Sequence, residues 1–575
     1  MRGIPLGVAV VALGLFLTGL GRAPFLDPPE GFHATVAQSM TRSGDAVTLT
    51  INGVRYFDKP PLLYWLMAAS FGAGGVTPFT ARLPSALAAV GVAAITARLG
   101  VLMGGPRLGL LAGLMAGANL GIFLYARIVK PDLVFILSIL LAYLGFTLVY
   151  RGAGRWALAL FYAALGLSTL AKDILGLLAP CVVIAVFFWL TRERPLAPWV
   201  PWWGPLLTFA VALPWYVMVE IRNPGFLWYT IVDNHLLNFT RQRVFPDEDV
   251  PLGALEFVVV TVLAFLPWML TAPWALYRAL RRPWTDANAR LWALFALWAV
   301  VVIGFFVVSP FKLPHYGLPA FPALALLVAR VWDESIDAVP ESLRPRTLIT
   351  PVLIVFAVAA SAAAAVWGGL WTIPGDTLTT LDVAARNLAA KGQAAVAAPT
   401  ERYGPVLARC ALVFGLGAAG MAVAAWRRAP GLGVGVALAT MVAFLPAAAD
   451  GMATFARTRS AASVIEALAT RVSPNDVVAH EGPLENTGSL LLRVRGPVRI
   501  VDGLQSNLAF GSTFPDAREI FWDAPKLQAA WEGPRRVFLV SGVDAARSVV
   551  RSLPRARVHV VASGGGRALY SNLAD

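Results

Sequence analysis

The chain of 575 residues is 58% hydrophobic and 14% charged, carries 19 Trp, and has a mean hydropathy of +0.67. That composition excludes an ordinary soluble globule and a disordered chain, and it predicts an integral membrane protein. The net charge of +14 would suit a nucleic-acid binder only if the basic residues shared one soluble face, whereas here they fall in short segments between apolar runs.

Apolar runs near the length of about 20 residues needed to cross a hydrocarbon core recur along the first 450 residues, about thirteen of them. In chain order they are 4–20, 81–103, 107–125, 132–150, 156–171, 174–191, 203–221, 253–274, 289–309, 315–332, 348–370, 405–426 and 430–450. The first has the length of a signal peptide, but no small-residue cleavage site precedes the acidic stretch that follows, so it is read as a retained anchor. With Arg2 on the cytoplasmic side, every second loop bears Arg: Arg107, Arg151 with Arg155, Arg192 with Arg194, Arg278 with Arg281, Arg282 and Arg290, Arg330 with Arg344 and Arg346, and Arg427 with Arg428. This is the positive-inside pattern, and it predicts residues 451–575 outside, in the periplasm of a Gram-negative cell. Cys181 and Cys410 both fall in predicted spans as packing residues, which excludes a disulfide framework.

The outward segments have another character: "FLDPPEGFH" (25–33), "GVRYFDKPP" (53–61), "RIVKPD" (127–132), "LAKD" (170–173), "IVDNHLLNF" (231–239) and "SPFKLPHYGLP" (309–319) gather acids, lysines and histidines on one side. Ionisable groups this near hydrocarbon are costly, by about 2.5–3.5 kcal/mol each at a helix centre, so they mark a functional site by default. Lysine and arginine suit a phosphate, and a carboxylate suits a general base or an acceptor anchor. A polyprenyl-phosphate sugar donor fits, with its tail between helices and its leaving phosphate stabilised by cations. Bland readings compete: Asp58 with Lys59 as a surface ion pair, Lys172 with Asp173 as a self-neutralising turn, His315 as an interfacial anchor, and Asp132 as a first-turn acid favoured by the helix dipole.

Five blocks in order, "SGDAVTLTINGVRYFDKPPLLYW" (43–65), "ARLPSAL" (81–87), "GLSTLAKDILGLLAP" (166–180), "LPWY" (213–216) and "KLPHYGLPAFPAL" (312–324), resemble the bacterial lipid-linked glycosyltransferases of the aminoarabinose-transferase and protein-mannosyltransferase type. The resemblance covers most of residues 20–330. It implies a polytopic all-α membrane protein of the GT-C fold, a catalytic acid in the first outer loop, a lysine on donor phosphate (Lys59) and an acid opening the fourth span (Asp132). Where the family reads Asp-Glu in that loop, this chain has Pro29-Glu30, so the catalytic carboxylate falls to Glu30 or Asp27. Phe32 replaces the Arg usual in aminoarabinose transferases, which leaves the donor sugar open. The expected set is Glu30, Asp27 and Asp132 as catalytic acids, Lys59, Arg55, Lys312 and His315 on donor phosphate, and Asp58, Lys172 and His235 in support. Asp27 and Glu30 could hold a divalent cation, although two carboxylates are a thin ligand set; no cofactor is otherwise expected. The acceptor would be lipid A, another glycolipid, or a protein.

Residues 1–455 are read as the membrane domain, with outer loops 21–80, 222–252 and 371–404, and "TLTTLDVAARNLAAK" in the last as an amphipathic surface helix. Residues 456–575 are read as a small periplasmic α/β accessory domain, from the short strands "DVVAH", "PVRIVDG", "RVFLVSG" and "RVHVVAS" alternating with helical stretches. "SGGGR" (563–567) is a turn before a last strand rather than a phosphate loop. A transporter or flippase of a lipid-linked sugar is the competing function; it would be expected to show internal repeats and mid-membrane charges, neither of which stands out here.

Overall fold

A computed structural model describes the chain except residues 1–2, 246–249, 340–341, 374–384, 387–388, 390–395, 397–398, 495 and 575. Most of the expected surface helix at 377–391 lies outside the described residues. The helices in chain order are α1 (Gly3–Leu17), α2 (Glu30–Ser43), α3 (Leu62–Gly74), α4 (Pro78–Gly104), α5 (Pro106–Gly117), α6 (Leu120–Ala126), α7 (Asp132–Tyr150), α8 (Arg155–Ala171), α9 (Leu175–Thr191), α10 (Trp203–Arg222), α11 (Ala254–Ala264), α12 (Ala272–Leu280), α13 (Ala287–Val308), α14 (Phe321–Ile336), α15 (Pro345–Trp367), α16 (Gly404–Arg427) and α17 (Pro430–Arg459). Two shorter ones follow, α18 (Ala462–Ala469) and α19 (Ala524–Glu532).

Every predicted apolar run falls on a helix, but length and composition alone vouch for seven crossings among the described residues, or nine if each bent pair is one span. One bend, of 60°, separates α5 from α6, where the Asn119 side chain accepts from the Ile122 amide and starts the new helix. The other, of 109°, separates α11 from the stretch Trp268–Leu280. Cys181 and Cys410 are free thiols, and Cys181 is exposed on α9 rather than packed inside the bundle.

Charged side chains sort to the two ends of the bundle. At one end the Arg-bearing loops meet: Arg107 reaches Asp333 and Asp337, Arg278 and Arg330 share Glu334, and Arg290 shares Glu193 with the Tyr150 hydroxyl, each at 3.0 Å. At the other end lie the acid- and lysine-bearing segments. The expected loop 21–80 is largely structured there, with α2, a small hairpin of β1 (Thr50–Ile51) and β2 (Val54–Arg55), and α3.

The C-terminal sheet has six strands, β3 (Val477–Glu481), β4 (Val498–Val501), β5 (Phe521–Trp522), β6 (Val537–Ser541), β7 (His559–Gly564) and β8 (Arg567–Ser571), in the order β5-β4-β3-β6-β8-β7. Pairing is parallel from β5 to β6, and β8 runs antiparallel to both neighbours. Alternate residues serve opposite faces: Ala479, Val501, Val537 and Leu539 pack with Leu527 and Trp531, while Val478, Ile500, Phe538 and Val540 join Val464, Ile465 and Leu468. "SGGGR" is the β7–β8 turn, with positive φ at Gly565 and Gly566.

This sheet domain is clasped to α2. Thr35 Oγ1 donates to the Gly488 carbonyl at 3.0 Å, and a Cβ at Gly31 or at Gly488 would collide with the facing backbone, at Ser489 and at Phe32. The Asn52 side chain, at the β1–β2 turn, donates to the Val498 carbonyl at 2.6 Å and accepts from its amide at 2.9 Å. Helix α2 is therefore covered on nearly all sides, although "EGFHATVAQSMTRS" has little apolar content.

Candidate functional site

Three helix ends deliver the charges. Pro60 and Pro61 lead into α3, so Asp58 and Lys59 sit on a stiff segment directly before its first turn. Pro131 plays the same part for α7, placing Lys130 just outside the helix and Asp132 at its first position, where the helix dipole favours a carboxylate. Lys172 closes α8 before the chain turns into α9, and His315 lies in the tight turn Pro314–Ala320 that feeds α14.

Two ion pairs form the centre. Lys172 Nζ is 2.6 Å from Asp132 Oδ1, and His315 Nε2 is 3.5 Å from the same oxygen. The Lys172 ammonium also lies over the Tyr316 ring, 4.8 Å from its centroid. Lys59 Nζ is 2.7 Å from Asp58 Oδ2, with about a third of the lysine side chain, 32%, left open. Burial pushes the Asp58 carboxyl up, but Lys59 and Arg243 overcome this and hold it below the usual carboxylate range. Lys59, Lys130, Asp58 and Asp132 all act electrostatically on His33, and Lys59, Lys130, Lys172 and Asp132 on His315, so the pairs belong to one cluster.

Beside the cluster is a cavity of about 610 Å³, lined by apolar residues such as Leu20, Leu124, Val260, Leu263 and Leu318, by Tyr125, and by charged residues that include Glu30, Arg82 and Arg127. The Tyr125 ring lies 5.2 Å from that of His315, which joins the apolar cavity to the charged cluster.

The other expected site residues lie outside the lysine-bearing cluster, with Glu30 on the wall of the cavity. Glu30 is held bidentately by Arg82 of α4, at 2.8 and 2.6 Å, and also accepts from the amides of Leu26 and Val129. Both partners are buried, and Arg82 further donates to the carbonyls of Leu20, Ala23 and Pro24. Glu30 thus ties α2 to α4 through Arg82 and to the segment before α7 through the Val129 amide. Asp27 turns toward the sheet domain, where it accepts from the Ser489 amide at 3.2 Å and from its hydroxyl. With both carboxylates committed, a cation shared by Asp27 and Glu30 would have to displace Arg82. Among the described residues no group of three or more His, Cys, Asp or Glu comes together.

Arg55 pairs with Asp516 at 2.8 Å and stacks over Phe514, which ties the hairpin to the sheet domain and turns it from the cluster. Lys312 is buried and donates to the Val307 carbonyl at 3.3 Å, with no carboxylate paired to it among the described residues. His235 bonds back to the Thr230 carbonyl of its own helical turn at 2.6 Å. Lys130 and His33 belong to the cluster without having been given a role; both stand in the outward segments, Lys130 in "RIVKPD" and His33 at the end of "FLDPPEGFH".

Asp27 carries a pH signature. Burial lifts its carboxyl to about 6, against the pull of Arg567 and of the Ser489 hydrogen bonds. Because the folded value exceeds the ordinary 3.8, the folded state binds the extra proton between the two, so this group's stabilisation is complete below 3.8 and is lost as pH rises through about 6. Thermal melting in detergent across that window is expected to show the slope in the wild type and not in Asp27→Asn; equal slopes would contradict this placement.

The family described as Dolichyl-phosphate-mannose-protein mannosyltransferase matches residues 58–218. The Undecaprenyl phosphate-alpha-4-amino-4-deoxy-L-arabinose arabinosyl transferase of Aeromonas salmonicida is 30% identical over 324 residues, 55% of this chain and 57% of that protein. That of Pseudomonas paraeruginosa is 29% identical over 367 residues, 61% of this chain and 64% of that protein. The matches thus span about three fifths of these relatives' own length. Among solved structures, ArnT from Cupriavidus metallidurans bound to undecaprenyl phosphate superposes with a TM-score of 0.81 at 24% identity, covering 100% of this chain and 99% of that one. Its apo form gives 0.77 at 22% identity, covering 99% and 97%. The resemblance read from the five sequence blocks is borne out, and the chain is a multi-pass membrane protein with the GT-C fold of the solved aminoarabinose transferases.

Proposed function

We propose that this protein is a glycosyltransferase that takes a sugar from a polyprenyl-phosphate donor and passes it to an envelope acceptor, a glycolipid such as lipid A or a protein. The observation that carries this reading is an apolar cavity meeting a lysine-rich cluster at one end of the helix bundle. Such a site fits a ligand with a long apolar tail and an anionic head. Similarity to undecaprenyl-phosphate-dependent transferases supports the same donor class.

In this reading Lys59 and Lys130 take the donor phosphate and stabilise the charge that builds on it as the glycosidic bond breaks. Asp58 and Asp132 hold Lys59 and Lys172 in position, and His315 steadies Asp132. The cluster of lysines, acids and His315 at one end of the bundle suits a reaction on one face of the membrane better than passage through it, and this favours transfer over flipping. The site and residues 456–575 face the periplasm of an inner-membrane protein, with the sheet domain closing over α2 as an accessory domain. Reporters fused after Arg428 and after Ala449 should give cytoplasmic and periplasmic signals respectively; the reverse pair would overturn that orientation. Mass spectrometry of envelope lipids and proteins from a deletion strain is expected to show loss of a glycosylated species that wild-type protein restores. An envelope unchanged in every glycosylated species would contradict the proposal.

A further inference from the structure

We propose that His33 is the base that accepts the acceptor's proton, through Nε2, a lone-pair nitrogen held at the lysine-lined cluster by two tyrosines. The inference rests on the glycosyl-transfer reading and adds a residue to it.

The tautomer follows from the hydrogen bonds. Tyr64 donates its hydroxyl proton to the Tyr56 oxygen at 3.2 Å, and the Tyr64 oxygen lies 2.8 Å from His33 Nδ1. With its only proton engaged, Tyr64 must accept from Nδ1–H, which leaves the lone pair on Nε2. No hydrogen bond among the described residues occupies Nε2. The ring is packed edge-on against Phe32 and tilted against Tyr64 at 8% exposure, so it has little freedom to turn.

The neighbouring carboxylates are each committed. Asp58 is held by Lys59, Asp132 by Lys172, Glu30 by Arg82 and Asp27 by Ser489. His315, the other imidazole, points Nε2 at Asp132, while its Nδ1 is sealed from water with no partner.

The groups facing His33 are Lys130, Lys59, Asp58 and Asp132, together with the hydroxyls of Tyr64 and Tyr56. Burial, then Lys130 and Lys59, push the imidazole down to about 3, so it is neutral in the empty site. A donor phosphate bound by those lysines offsets their share of this depression and raises the basicity of Nε2 by that share, while the larger share, from burial, stays.

In the step itself, the acceptor oxygen forms a bond to the anomeric carbon, and the carbon–oxygen bond to the phosphate breaks with its electron pair leaving on the phosphate. The acceptor's proton moves to Nε2. The imidazolium then gives that proton to the departing polyprenyl phosphate, which restores neutral His33.

The test uses the full-length protein in detergent, the polyprenyl-phosphate sugar that wild type consumes from a panel of pentosyl and hexosyl donors, and a membrane lipid extract as acceptor. His33→Ala and His33→Gln are each expected to slow single-turnover transfer by about 10²-fold or more, with binding of polyprenyl phosphate kept within a few-fold. Added imidazole should restore part of the rate to His33→Ala and nothing to His33→Gln. Tyr64→Phe, which releases the tautomer lock, should slow transfer less. Wild-type rates in both His33 variants, or losses without imidazole rescue in variants that melt like wild type, would overturn the assignment and leave glycosyl transfer standing. A wild-type protein that consumes no donor would instead overturn the reading beneath it.

Discussion

Replacing Lys59 with Ala is expected to slow sugar transfer by about 30-fold or more, the effect of losing about 2 kcal/mol of transition-state stabilisation. Its ammonium is held by Asp58 beside a partly dry cluster, and it would meet a phosphate whose charge grows as the sugar leaves. The third of the side chain that stays open lets water screen part of the interaction, which sets the effect at the lower end for a lost charge-assisted donor. Asp58 keeps Asn234 and the field of Arg243 in the variant, so the fold should survive. Lys59→Arg retains the charge and should recover much of the rate. Wild-type transfer by Lys59→Ala would remove Lys59 from the site.

A larger effect, on stability, is expected at Glu30 and Arg82. Arg82→Ala strips the counter-charge from a buried carboxylate and orphans three backbone carbonyls, a change that costs about 3–5 kcal/mol in buried pairs. The variant should accumulate poorly and melt far below wild type. Glu30→Gln keeps the shape but turns one of the two accepting oxygens into an NH2, so it loses the amide contact of either Leu26 or Val129 and one arm of the Arg82 fork; it should be destabilised less than Arg82→Ala and, once folded, still transfer sugar. A Glu30→Gln protein of wild-type stability whose turnover falls by about 10²–10⁴ would make Glu30 the base after all.

These two residues show where a sequence reading succeeds and where it stops. Asp58, Lys59, Asp132 and Lys172 were legible because each is a charge abutting an apolar helix, and such placement needs an explanation local enough to see in "DKPP", "KPD" and "LAKD". Glu30 also drew attention as a charge, but its partner lies 52 residues away on α4 and Asp27's lies 462 residues away on the sheet domain. Pairings over such separations leave no trace in composition or spacing. The same distance concealed α2: its polar sequence reads as loop, and residues 484–492 close over it on the side away from α3 and β1. His33 stood in "FLDPPEGFH" without a role for a third reason, since its interest lies in which nitrogen Tyr64 holds. The strands of the C-terminal sheet were legible because their alternation is local, and the membrane helices from α4 onward because each stretch carries its own apolar run.

The most direct test of the account is to incubate the purified protein, in detergent, with a radiolabelled polyprenyl-phosphate sugar and an envelope lipid extract. No second compartment exists there, so a transporter has nothing to do. Label should appear on an acceptor with release of polyprenyl phosphate, about 30-fold or more slowly in Lys59→Ala. Donor that binds the protein and is recovered intact from every preparation would contradict it.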